Sequence, residues 1–89
     1  GVNVIRRVHK APGGLIRATM EVKHDQFEYV SLSGDFFCYP RDAIGDLESA
    51  LTGTPCAQVQ DTLAQFYATH DLETPGVAVD DWATALLGT

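Results

Sequence analysis

The chain has 89 residues, of which 45% are hydrophobic and 20% are charged, and its formal net charge at pH 7 is −6. This length predicts a single domain over residues 1–89, with a modest core and little stability to spare. The ordinary composition excludes global disorder, and the negative charge disfavours general nucleic-acid binding, which requires the neutralisation of many phosphates.

The charge is distributed unevenly along the sequence. Residues 1–24 hold five lysines and arginines against a single acid, Glu21, whereas residues 42–89 hold eight acids and no lysine or arginine. The cationic N-terminal segment is consistent with a surface that faces a partner or an anionic ligand. An ordinary solvated strand face is the favoured interpretation.

Cellular location is indicated by the cysteines and by hydropathy. Cys38 and Cys56 form neither a disulfide framework nor a recognisable metal-binding pattern. The sequence shows no secretory signal and no apolar run near the roughly 20 residues that a membrane span needs. We therefore expect a cytoplasmic protein with no membrane partner and no nucleic-acid partner.

The first half of the chain predicts three strands. In residues 2–9 three valines share one phase of the alternation, which Arg6 interrupts, and this predicts an edge strand on which the charges discourage edge-to-edge pairing. The segment Lys10-Ala11-Pro12-Gly13-Gly14 predicts a break, because Pro12 restricts Ala11 and the glycine pair permits a tight turn or a close backbone approach.

The second strand shows strict period-two alternation, typical of a half-buried strand, with its apolar residues on one face: Ile16, Ala18, Met20 and Val22. His24-Asp25 predicts a polar hairpin turn. The third strand, from Phe27 to Ser33, places Val30 and Leu32 on one face and Phe27 and Tyr29 on the other. Apolar residues on both faces predict that this strand is central in the sheet.

The segment from Leu32 to Pro40 predicts a structural corner between the last strand and the first helix. Gly34 can adopt backbone angles that other residues avoid. The Asp35 carboxylate is expected to accept hydrogen bonds from nearby backbone N–H groups and so hold the corner. Phe36 and Phe37 are expected to bring two large apolar rings to one place, with core packing favoured over a role in an interface.

Three helices are predicted after Pro40. The first carries an amphipathic stripe of Ile44, Leu47 and Leu51 and ends at Gly53. In the second, Thr54 is expected to be the N-cap and Pro55 the first helical residue, with the helix ending near residue 70.

The last helix is predicted to start near Val79 with Ala78 as its cap, a hydrophobic staple between Val77 and Trp82, and acids in the first turn. Strands followed by helices predict an α+β fold, with a three-stranded antiparallel sheet in the N-terminal half packed against about three helices in the C-terminal half.

The ordered set of motifs over residues 10–87 resembles the C-terminal accessory domain of lipoate-protein ligases. That domain occurs either fused to the catalytic domain or as a separate small subunit. The residues that carry the resemblance are Lys10–Ile16, Ser33–Phe37, Ile44, Leu47, Glu48, Ala50, Leu51 and Gly53. The resemblance implies a fold similar to that of the SufE/NifU sulfur-handling proteins.

The resemblance also implies a non-catalytic role. Lipoate-protein ligases use ATP to convert lipoate to lipoyl-AMP and then transfer the lipoyl group to a lysine of an acceptor protein. The sites for ATP, magnesium and lipoate belong to the catalytic domain, so this chain is expected to bind no cofactor and to assist lipoate activation by a catalytic partner. The residues expected to shape or support its docking surface are Lys10, Gly13, Gly14, Gly34, Asp35, Phe36 and Phe37.

Other chemistry is less favoured by the residues. The three histidines have no ligand spacing, and none of them predicts a metal site. Cys38 is expected to be packed and inert, although a sulfur carrier of SufE/NifU-like fold would use such a cysteine as a nucleophile. The alternatives to a ligase accessory domain are therefore a sulfur carrier or an orphan interaction module.

Overall fold

The computed structural model describes all residues, Gly1–Thr89, and confirms the predicted α+β fold. Three strands form one antiparallel sheet in the order β1-β2-β3, and three helices follow. The elements are β1 (Asn3–Ala11), β2 (Gly14–Lys23), β3 (Gln26–Gly34), α1 (Ala43–Leu51), α2 (Val59–Thr69) and α3 (Val79–Leu87), with a short 3-10 turn, Cys56–Gln58, before α2. None of the helices is long and apolar enough to cross a lipid bilayer.

The alternation of apolar residues correctly predicts strand β2 and its buried face. Ile16, Ala18 and Met20 are buried against the helices, as period-two alternation predicts. β1 is an edge strand, as predicted, but it runs on through Lys10 and Ala11, so the break is reduced to Pro12 and Gly13.

The prediction that β3 is central is wrong, since β3 forms the second edge of the sheet. A bulge explains the misleading pattern. Glu21 pairs with Tyr29 and Val22 pairs with Phe27, so Glu28 is an extra residue in β3. An extra residue breaks the alternation, and Phe27 therefore turns into the core beside Val30 while Tyr29 stays exposed.

The hairpin between β2 and β3 closes with two residues in the left-handed region. His24 has φ 53° and Asp25 has φ 58°, as a two-residue hairpin turn of the favoured twist requires. The predicted polar turn is confirmed without the glycine that commonly occupies it.

The helices cover one face of the sheet, and Trp82 of α3 lies fully buried between them. Its indole N–H donates to the Tyr67 hydroxyl at 2.7 Å, and that hydroxyl lies 2.7 Å from the Thr74 hydroxyl. Burial of an indole is favourable when its N–H finds a partner. The core therefore includes a short polar chain that joins α2, α3 and the segment between them.

The predicted start of α2 is wrong, whereas the other two helices begin close to the predicted residues. The Thr54 hydroxyl donates to the carbonyl of Ala50 at 2.9 Å, in the preceding helix. Pro55 forms an isolated bridge with Gln26 of β3. Because both residues serve other contacts, the α-helix starts only at Val59, after the 3-10 turn.

α3 is tied to the sheet at its N-terminus. One carboxylate oxygen of Asp81 accepts the N–H of Ala78 at 2.8 Å, which caps the helix. The other oxygen lies 2.8 Å from Nε2 of His9 in β1. This single carboxylate therefore both caps α3 and fixes the helix on the edge strand.

Candidate functional site

Three segments distant in sequence meet at one end of the sheet, and we call this region the corner: residues 10–15, 34–40 and 73–76. The N–H of Asp35 donates to the carbonyl of Leu15 at 2.9 Å, and the N–H of Gly13 donates to that of Gly76 at 2.8 Å. Tyr39 and Glu73 exchange two backbone hydrogen bonds, at 2.9 and 2.7 Å. Backbone contacts thus hold the corner together.

The glycines of the corner allow these backbones to approach. Gly14 has φ 140° and Gly34 has φ 143°, a region that other residues rarely adopt. A Cβ atom at Gly34 would lie 2.0 Å from the carbonyl oxygen of Leu15, and one at Gly13 would lie 2.1 Å from that of Pro75. These glycines therefore support the shape of the corner, since no side chain fits in their place.

The two phenylalanines separate, so the expectation that their rings share one place is wrong. Phe36 is half-buried and packs edge to face on Trp82, with ring centroids 5.2 Å apart. Phe37 is 59% exposed and Tyr39 is 63% exposed. Core packing therefore belongs to Phe36 alone, and the rings of Phe37 and Tyr39 lie on the surface of the corner.

The charged residues of the corner are free of internal partners. Asp35 is exposed, and its carboxylate makes no hydrogen bond within the chain, so the expectation that this carboxylate holds the corner is wrong. Its backbone N–H does so instead. Lys10 is also exposed and lies opposite Leu15 in the sheet. Both side chains are available to a partner.

A groove beside the corner was not predicted from the sequence. It lies between the end of β3 and α1, has a volume of about 670 Å³, and includes Phe37, Cys38, Ile44 and the exposed Arg41 in its walls. The sequence gives little indication of the groove, because the position of Ile44 indicates only an amphipathic helix. The groove extends the apolar surface offered by Phe37.

The cysteines lack the environment of a reactive thiol. The Cys38 thiol donates to the carbonyl of Pro40 at 3.4 Å, and burial raises its pKa above the ordinary value. Burial, and then the charge of Asp25, also raise the pKa of Cys56. A raised pKa means less thiolate at neutral pH, which opposes the sulfur-carrier hypothesis. No group of three or more His, Cys, Asp or Glu side chains is arranged to hold a metal ion.

Comparisons with known proteins agree on one family. The sequence profile described as bacterial lipoate protein ligase C-terminus matches residues 4–82. A curated relative, lipoate-protein ligase A subunit 2 of Thermoplasma acidophilum, is 38% identical over 77 residues, which cover 86% of this chain and 81% of the relative. The profile match begins at residue 4, within β1, although the motifs that carry the resemblance begin only at Lys10.

A solved structure also matches. It comes from an archaeal lipoylation system of Thermoplasma acidophilum, described as a bipartite lipoate protein ligase and its E2 lipoyl domain. The TM-score is 0.91 at 34% identity, and the match covers 97% of each chain. The arrangement of strands and helices described above is therefore shared over nearly the whole length of both chains.

Proposed function

We propose that this chain, which belongs to the family of bacterial lipoate protein ligase C-termini, is a non-catalytic accessory domain or subunit of a lipoate-protein ligase. The observation that carries the proposal is its match to a ligase made in two parts, in which the relative is named as subunit 2. The match covers 81% of the curated relative and 97% of the solved chain, so the likeness extends beyond a shared motif.

The proposed role is to assist lipoate activation by a separate catalytic partner in the cytoplasm. That partner would hold ATP, magnesium and lipoate and would form lipoyl-AMP with release of pyrophosphate. Docking of this chain would close the site and exclude water, because lids of this kind complete and sequester catalytic sites. Its movement away would expose lipoyl-AMP to the lysine of a lipoyl-acceptor protein.

The corner supports a docking function best. Phe37 and Tyr39 offer exposed aromatic rings, and aromatic residues dominate the binding energy of many interfaces. Lys10 and Asp35 provide exposed charges of opposite sign at the same end of the sheet. Opposite charges at the rim of an interface set the orientation of a partner.

The remaining predicted residues support this surface from below. Gly13, Gly14 and Gly34 allow the backbones to touch, and Phe36 packs on Trp82. A rigid surface loses less conformational entropy on binding. The corner is therefore proposed to be ordered before the partner arrives.

Calorimetric titration of a catalytic lipoate-protein ligase subunit from the same genome tests this role. Phe37→Asp is expected to raise the Kd by about tenfold or more, since it removes an exposed aromatic anchor. Val2→Asp is the matched control, because Val2 is also an exposed apolar residue but precedes the opposite end of β1. Unchanged binding by Phe37→Asp would reject the corner, and no binding by the unaltered chain would reject the accessory role.

A further inference from the structure

The face of the sheet opposite the helices presents three cations close together. Arg6 pairs with Thr19, Val8 with Arg17, and Lys10 with Leu15. Directly paired residues project from the same face, so Arg17, opposite Val8, is a diagonal neighbour of both Arg6 and Lys10. None of the three makes an ion pair or a side-chain hydrogen bond within the chain.

The residues that alternate with these cations in β1 show that the helices do not cover the cationic face. Arg7 donates from Nη1 to the carbonyl of Leu86, and His9 contacts Asp81, both in α3. Because side chains alternate along a strand, Arg6, Val8 and Lys10 point away from the helices. We call the outward-facing residues of the sheet between the bulge and the corner the open face: residues 4, 6, 8, 10, 15, 17, 19, 21, 29, 31 and 33.

The open face is also partly apolar. Val4 is 54% exposed, Val8 is 65% exposed and Tyr29 is 48% exposed. Val4 and Tyr29 both pair with Glu21, the one acid among the paired residues of this face. Single apolar residues are normal on a surface, so these side chains add apolar contact area to the face and do not identify it by themselves.

We propose that the open face is a second docking surface, which receives an acidic and partly apolar surface of the catalytic partner. This inference rests on the proposed accessory function. Charge complementarity favours an acidic occupant, because the open face is cationic on a chain of net charge −6. Continuity favours the same partner, because Lys10 belongs both to the open face and to the corner.

Stopped-flow association with the catalytic subunit tests the proposal. Arg17→Glu is compared with Lys23→Glu, which makes the same charge change at the hairpin end of β2, and the double variant Arg6→Glu/Arg17→Glu enlarges the effect. At about 0.1 M salt, where the Debye length is about 10 Å, we expect the association rate constant to fall about fivefold for Arg17→Glu and about tenfold or more for the double variant. Lys23→Glu is expected to stay within about twofold, because six residues of strand, about 20 Å, separate it from Arg17.

The outcomes separate the two proposals. If Arg17→Glu and Lys23→Glu associate at equal rates while the unaltered chain supports pyrophosphate release, the open face is not a docking surface. The accessory function is unaffected by that result. No association and no pyrophosphate release with the unaltered chain overturn both. The double variant could instead abolish self-association of this chain and leave the association rate with the catalytic subunit unchanged. That result would assign the open face to a second copy and overturn the proposal.

Discussion

A Cβ atom at Gly14 would lie 1.7 Å from the carbonyl oxygen of Asp35. Gly34 meets the carbonyl of Leu15 in the reciprocal way, and the N–H of Asp35 donates to that same carbonyl. The turn between β1 and β2 is thereby fixed to the chain that leaves β3. This contact positions Phe36 beneath the surface and Phe37 on it.

Gly14→Ala should destabilise the protein by at least about 2 kcal/mol, because a positive φ and a backbone collision act together. Urea unfolding measures the change. Gly45→Ala is the control, since a Cβ atom there meets nothing within 4 Å, and in a helix interior it should stabilise by about 0.5–1 kcal/mol. Equal stability of the two variants would contradict the role of the corner contact.

The two phenylalanines should respond differently to truncation. Phe36→Ala removes the edge-to-face contact with Trp82 and should cost about 2 kcal/mol of stability, less than a fully buried phenylalanine. Phe37→Ala should change stability by less than about 0.5 kcal/mol, since its ring is exposed. Thermal melts of both variants check this. A large loss for Phe37→Ala would show that its ring is part of the core.

Most of the fold followed from periodicity, and each failure has its own physical cause. The alternation of β2 and the stripes of the helices are local signals, and they placed those elements correctly. The position of β3 was wrong because one bulged residue, Glu28, put Phe27 on the face opposite to the one predicted. Thr54 failed as a cap because a tertiary arrangement gave its hydroxyl to Ala50.

Asp81 should make the stability depend on acid pH. The hydrogen bond from the Ala78 N–H, and then that of His9, hold its pKa below the ordinary value. A lowered pKa in the folded state adds stability above the unfolded value, and that stability is lost as the pH falls through the folded value. Asp81→Ala should therefore cost about 1 kcal/mol at pH 7, with the difference shrinking from roughly pH 4 towards pH 2.

Urea unfolding at several pH values measures this difference. Asp71→Asn is the control, because it removes the same charge from an exposed position that makes no side-chain hydrogen bond. A cost for Asp81→Ala that stays constant down to pH 2 would show that the carboxylate's charge is unimportant to the cap.

Cys38 should alkylate more slowly in the folded protein than in urea, because burial raises its pKa and the thiolate is the reacting form. Iodoacetamide labelling of a Cys56→Ser variant isolates this thiol, and a Cys38→Ser variant provides the matched measurement on Cys56. Faster reaction of Cys38 in the folded state than in urea would restore the sulfur-carrier hypothesis.

The candidate site was only partly predictable. Because they lack a side chain, Gly13, Gly14 and Gly34 indicate a close backbone approach. The structure shows that the approaching groups are backbone carbonyls. The role of residues 73–76 could not be predicted from the sequence, because nothing in a Pro-Gly linker indicates that the carbonyl of Gly76 accepts a hydrogen bond from the N–H of Gly13. The sequence predicted that the Asp35 carboxylate holds the corner, but the backbone N–H of Asp35 does so. The carboxylate is therefore available to a partner.

Lipoate-dependent release of pyrophosphate from ATP tests the accessory role most directly. The comparison uses this chain alone, a catalytic lipoate-protein ligase subunit of the same genome alone, and an equimolar mixture. We expect release in the mixture well above the sum of the separate proteins, and none from this chain alone. Equal release with and without this chain, from a catalytic subunit verified to bind lipoate and ATP, would contradict the accessory role.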